Sequence, residues 1–513
     1  MLGRAMPSAV PLILATSLVA QAPRLGTVHF PTSQAGEAQE AFVEGVLFMH
    51  SFEYASAARA FQRARDLAPG FAMAHWGEAM THNHPIWNER DRAGAIAVLE
   101  RLGPGREARL ARAPTERERA YLAAVEELWA EGPKAERDTA YSLAMEELVR
   151  RYPEDVEARA FYALSLMGLS QGVRMVPTYV RAGAIAAEVL REHPSHPGAA
   201  HYVIHAFDDP IHAPLGLTAA RSYSTIAPDA AHAQHMTTHI FVAMGMWDDV
   251  VSQNEVAAGL THWGPGHYTS WLGYGMLQQG RFDAARKHLE RARANLRSPA
   301  PAGQRAYLAT MRAHYLINTE RWDDEPATWE LDLSGAGTVS RAIDAFAVGY
   351  AALRRGDRQA AEQGAERLTT VAGGTPGAAP YGGQAGAAAV LSLVLRAALA
   401  ETAGDLDQAT RLLEAATALE DTLPVEFGPP DVVKPSHELF GEVLLRAGKP
   451  AVAQREFQRA LELAPKRALS LRGLAEAARR AGDVKTAQRA ARMLAEIWHA
   501  ADAGITSDAS TQR

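Results

Sequence analysis

Not one of the 513 residues is cysteine. That excludes disulfides, thiolate nucleophiles, sulfur-bound metals and covalently attached haem together. Any metal held here must rely on histidine, carboxylate or methionine. An excess of positive charge is missing too: 52 Lys and Arg stand against 59 Asp and Glu, a formal charge of -7. With no basic field to draw in a phosphate backbone, nucleic acid is not expected as a partner. Long apolar runs are nearly absent. The one at the N-terminus, Ala9 to Ala20, follows Arg4 and leads into Ala20-Gln21-Ala22. It is short for a membrane span, and the small-x-small ending is that of a secretory signal. Residues 1–22 are therefore expected to direct export to the periplasm or beyond, Pro23 beside the cut leaving an uncleaved anchor as the alternative. No other membrane span is expected. Nor is there a phosphate loop, a GxSxG elbow or an HExxH motif.

What the chain does have is a core-forming composition, 47% hydrophobic and 22% charged, and a repeat. A unit of two antiparallel helices in 34 residues keeps small residues where its helices touch, bulky ones between them and proline near its end. With Pro465 at position 32 of such a unit, Gly441, Leu444, Ala453, Phe457 and Ala460 fall at positions 8, 11, 20, 24 and 27. Pro69 places Gly45, Phe48, Ala57, Phe61 and Ala64 at the same positions. Weaker units follow Leu272–Gly273, Gly349 and Ala397. Glycine marks the turn between paired helices at Gly245, Gly280, Gly356, Gly404, Gly448 and Gly482, where it supplies the helix stop.

On these residues the chain resembles the tetratricopeptide-repeat family over most of 38–498. The expected fold is all-α, a right-handed α-solenoid of tetratricopeptide-type helix pairs without a sheet. Its expected divisions are a leader at 23–37, a solenoid at 38–372 and a Gly/Ala/Pro loop at 373–386. C-terminal units at 387–498 and a polar tail at 499–513 complete it. The stretches FAMAHWGEAM at 71–80, HYVIHAFDDPIHAPLGLTAARSYSTIAPDAAHAQHMTTHIF at 201–241 and GPPDVVKPSHELFGEVLL at 428–445 are similar to a group of exported bacterial repeat proteins. That resemblance implies fold and location, and little chemistry.

Histidine is the residue out of place. Six of the chain's 19 lie between His201 and His239. Pro194 and Pro228 close two successive units 34 residues apart. His201 and His235 therefore share position 5, and His205 and His239 share position 9. A spacing of four sets both imidazoles of a pair on one helix face, and two neighbouring helices bring two pairs together. In the family resembled, positions 2, 5, 9, 12 and 13 line a concave groove, which adds His232, Asp208 and Asp209. The expected metal set is thus His201, His205, His235, His239, Asp208, Asp209 and His232, holding a divalent transition ion such as Zn, Cu or Fe. Farther along the groove the same carry-over places His267, Tyr274, His314 and His84.

Other clusters read as structure. Trp76 and His75 sit where repeat helices pack. Met236, Met244 and Met246 have the spacing of core fillers. Asp248-Asp249 and Asp323-Asp324 supply favourable charge at helix starts. Three functions follow: a metal-binding protein of the envelope, a scaffold binding a protein or peptide partner on its concave face, and a metalloenzyme with an open coordination position. A peptide groove would be expected to carry Lys, Arg and Asn where this chain carries histidine.

Overall fold

In the computed structural model, the described residues are 23–87, 89–171, 174–261, 263–373, 383–424 and 427–505. They form 24 α-helices, stacked as antiparallel pairs into an α-solenoid. The signal expected over 1–22 lies outside them, as does most of the loop expected at 373–386. The helix Gly383–Thr402 starts inside that loop's window. One small departure from an all-helical chain is an antiparallel ribbon pairing Asn83 with Arg90 and His84 with Glu89. No helix among the described residues is long and apolar enough to cross a membrane.

The repeat phase is built as steric fit. Phe61, on the helix Tyr54–Leu67, wedges between Gly45 and Gly77; a Cβ at those glycines would stand 2.6 Å and 2.4 Å from its ring. Phe457 does the same between Gly441 and Gly473, at 2.7 Å and 2.2 Å. Only glycine lets the backbones approach a ring so closely. The six turn glycines named above all have positive φ, between 62° and 85°, the left-handed stop that ends the first helix of each pair.

Closure of the superhelix on itself positions the site. From the N-terminal side, Phe30 of the extended leader packs against Phe42, Trp76 and Tyr121 at ring separations of 5.1, 5.6 and 4.9 Å. Thr27 N–H donates to Ser195 carbonyl at 2.9 Å, and Arg24 pairs with Asp229 at 2.8 Å. From the other side the last units return to the middle ones. Trp247 Nε1 donates to Lys466 carbonyl at 3.1 Å, and Ala468 N–H donates to Gln278 Oε1 at 2.9 Å. Arg467, wholly buried, donates to Glu438 at 2.8 and 3.1 Å and to Tyr274 Oη at 3.3 Å.

Candidate metal centre

Three helices carry the histidines. Pro197–Phe207 starts on Pro197, whose fixed φ suits the first turn, and His196 caps it by accepting from Ala199 N–H at 3.1 Å. It presents His201 and His205 one turn apart. Beside it, Ala231–Ala243 presents His232, His235 and His239, and His267–Gln278 opens on His267. Small residues on the first two, among them Ala199, Ala200, Ala206 and Ala233, let them lie close.

The histidines gather into two trios, His201–His205–His232 and His235–His239–His267. Within each, one ligand atom per residue lies within 4.8 Å of the others. His205, Asp208 and His239 form a third such group that links the trios. Excepting half-buried His267, these groups are 0–7% exposed. The concave groove expected from the repeat phase is thus an enclosed chamber. Phe52 from the N-terminal side and Phe427 from the C-terminal side cover it.

Hydrogen bonds at the far nitrogens settle the tautomers. His201 Nδ1 lies 2.7 Å from the His50 carbonyl, which can only accept. Nδ1 therefore carries the proton and Nε2 the lone pair. His235 Nδ1 faces Asn254 Oδ1 at 2.8 Å, and Asn254 is oriented by donating its own Nδ2–H to Val250 carbonyl at 3.0 Å. His239 Nδ1 donates to Asp208 Oδ2 at 3.0 Å. His235 and His239 thus turn two unprotonated Nε2 atoms toward each other at 3.2 Å. Two lone pairs at that distance repel unless a cation lies between them. A proton is not available at neutral pH: burial and neighbouring histidines push His235 far below the usual imidazole range. Burial lowers His239 as well, despite Asp208. Two nitrogens bound at 2.0–2.1 Å to one tetrahedral ion stand about 3.3 Å apart, close to the observed separation.

In the other trio, His201 Nε2 faces His232 Nε2 at 3.2 Å, and Tyr268 Oη lies 3.5 Å from His232 Nδ1. His205 Nε2 is buried without a protein partner. Burial pushes His201 and His232 far down, and carries His267 to about 3. Asp208 accepts from Arg174 as well as His239, with His205 Nδ1 at 3.5 Å. Burial alone would raise its carboxyl, but these donors hold it well below the ordinary range.

Aromatic rings close the chamber. His239 is sandwiched between Trp271 at 4.6 Å and Phe427 at 5.0 Å, both nearly parallel to it. Gly428, at φ 109°, leaves no room for a side chain: a Cβ would meet Trp271 at 2.2 Å. Phe52 stands 4.2 Å from His201 and 5.7 Å from His205 and His232. It holds a left-handed φ of 53°, a strained conformation that persists where the surroundings over-determine it.

Several residues expected at the site do other work. Asp209 accepts from the backbone N–H of Ile211 and His212 and from His212 Nδ1, and pairs with Arg174 at 3.0 Å. These contacts fix the turn that leads into the helix Ala213–Ile226. His84 lies on the ribbon, stacked on Tyr54 at 4.0 Å with Nε2 donating to Thr81 carbonyl. Tyr274 and His314 meet at 4.9 Å in the wall between the middle and C-terminal units, where Tyr274 also lines a cleft. His267, expected farther along, completes a trio.

A further group that could hold a cation comprises His50, Glu157 and His196. His50 Nε2 donates to Glu157 Oε2 at 2.7 Å while its Nδ1 meets Tyr202 Oη at 2.9 Å. His196 Nδ1 accepts a backbone N–H, so its protonated Nε2 faces Glu157 Oε1 at 3.3 Å. Burial would raise Glu157, but both imidazoles hold it below the usual carboxylate range. His196 Nε2 and Glu157 Oε1 are nonetheless buried without a hydrogen-bond partner.

Residues 439–502 match the family model described as Tetratricopeptide repeat. No curated protein matches the chain. Among solved structures it is similar to yeast Tom70, at 11% identity and a TM-score of 0.32, covering 87% of this chain and 96% of that one. The hetero-tetramer of Cut9 and Hcn1 from the APC/C gives 13% and 0.37, covering 90% and 88%. A human IFIT1 dimer with PPP-AAAA gives 12% and 0.36, covering 88% and 89%. Residues 439–502 are therefore a tetratricopeptide-repeat segment, and the chain around them is an all-α solenoid built from the same kind of helix pair.

Proposed function

We propose that this chain is an exported metalloprotein whose solenoid encloses a pair of divalent transition ions. One ion belongs to His201, His205 and His232, the other to His235, His239 and His267, and Asp208 orients His205 and His239 between them. The observation that carries this reading is the facing of His235 and His239 through unprotonated Nε2 atoms at 3.2 Å. Neutral imidazole ligands without thiolate suit Zn, Cu, Fe or Ni. Partners at the far nitrogens, such as Asn254, Asp208 and the His50 carbonyl, are what fix and strengthen histidine ligands. Three protein ligands leave one tetrahedral position for water or a small molecule, as at catalytic rather than structural sites.

Elemental analysis of wild type purified without chelator should find two equivalents of metal per chain. Replacing His205 and His239 together with Ala should remove them while leaving the helical circular-dichroism signal unchanged. Full metal retention in the double variant sinks the reading. Fusing residues 1–30 to an export reporter tests the location; a fusion kept in the cytoplasm removes that part alone.

A scaffold role for the outer surface of the repeats is a second reading, supported by the repeat segment at 439–502. Such a partner would not reach the histidines, which are enclosed.

A further inference from the structure

The centre has a neighbour. A cleft of about 660 Å3 opens between the middle and C-terminal units, within the size range of sites that bury a small organic ligand. Two of its lining residues belong also to the metal centre: Asp208, which accepts from His239, and Phe427, which stacks on the same ring. The cleft therefore ends against the far side of His239.

Its walls combine apolar surface with negative charge. Ile211, Val242 and Leu463 line it, and Ile211 is 81% exposed. Five carboxylates, from Asp208, Asp209, Glu420, Asp431 and Glu462, face one basic side chain, Arg459. That guanidinium is already paired with Asp421 at 2.7 Å and Glu462 at 2.8 Å. Arg174 serves both Asp208 and Asp209, His212 also meets Asp209, and Glu420 accepts from Ser436, yet the lining still counts five carboxylates against one guanidinium. The cleft is thus acidic and apolar together.

We infer that this cleft binds a small organic cation, an apolar or aromatic body carrying a protonated amine, and presents it to the histidine centre at Phe427 and Asp208. The binding rests on the cleft alone. The presentation rests on the metal reading above.

The test titrates 1-naphthylmethylamine, followed by its own fluorescence, into the full chain both stripped of metal with EDTA and loaded with Co(II). The carboxylate analogue 1-naphthoate is the control. The amine should bind one equivalent at least tenfold tighter than the carboxylate, and weaken as salt screens the charge. Ile211→Arg, at an exposed position that leaves the melting temperature unchanged, should cost the amine at least tenfold. Equal or tighter binding of 1-naphthoate, or an unaffected Ile211→Arg, overturns the cleft. In the loaded protein the amine should also shift the Co(II) absorption bands; a bound amine with unchanged bands overturns the presentation. Amine binding as described in a protein that takes up no metal would retain the cleft and refute the centre.

Discussion

Asn254→Leu separates a metal centre from a hydrogen-bonded histidine cluster. Asn254 is wholly buried, and its one contact with the centre is the acceptance of His235 Nδ1–H at 2.8 Å. It stands at position 24 of its repeat unit, where other units carry Phe61 and Phe457, so an apolar side chain suits the packing. Without the acceptor, His235 is free to move its proton to Nε2 and donate it to His239 at the existing 3.2 Å. One hydrogen bond worth about 1 kcal/mol is exchanged for another, so the metal-free variant should match wild type within about 1 kcal/mol. Coordination is different, because the new tautomer has no lone pair at the coordinating nitrogen. Loss of such a supporting partner costs roughly 10–100-fold in metal affinity, about 1.4–2.8 kcal/mol. Competition with a chelator of known affinity measures the first quantity, and chemical denaturation of the EDTA-treated proteins measures the second. Wild-type metal affinity in the variant, or a metal-free stability loss of several kcal/mol, would refute the reasoning.

Glu438→Gln should lower stability by about 3–5 kcal/mol, because it strands buried Arg467 and Lys434 without their shared carboxylate; a melting temperature within a degree or two of wild type contradicts this. Phe457→Ala should cost about 3–5 kcal/mol, since no neighbour can fill the space gripped by Gly441 and Gly473. The metal-free protein should lose stability as pH falls below 6.5. His314 is buried with neither ring nitrogen partnered, and burial, aided by Arg467, pushes it to about 3. The unfolded chain thus binds the extra proton between those values, and folding weakens by about 2 kcal/mol at pH 5 from this residue. His314→Leu should remove that part of the slope, and an unchanged slope in denaturation at pH 7 and pH 5 counts against it.

The fold was legible because its rules are local. Proline and glycine at fixed positions recur where helices touch and turn, and Phe61 and Phe457 fill the same niche at opposite ends of the chain. The phase of His201, His205, His235 and His239 was legible for the same reason. Their burial was not, because it depends on segments far away in sequence. Phe52 arrives from the N-terminal side and Phe427 from a loop beyond residue 420, and no repeat pattern announces either return. Asp209 was placed by the same phase, but spacing alone does not show that its carboxylate also accepts from Ile211 and His212 and pairs with Arg174. Asn254 did leave a signal: a polar amide at position 24, where a ring is the rule, marks a place where packing gave way to a specific partner. His267 left a weaker one, sharing position 2 with His232.

Anomalous diffraction from crystals of the wild-type protein, collected above and below the absorption edge of the metal found by elemental analysis, tests the central claim most directly. The account predicts two anomalous peaks per chain, one within about 2.0–2.3 Å of imidazole nitrogens of His201, His205 and His232, the other equally close to those of His235, His239 and His267. No peak at either trio, with His235 and His239 joined by an ordinary N–H···N hydrogen bond, would contradict it.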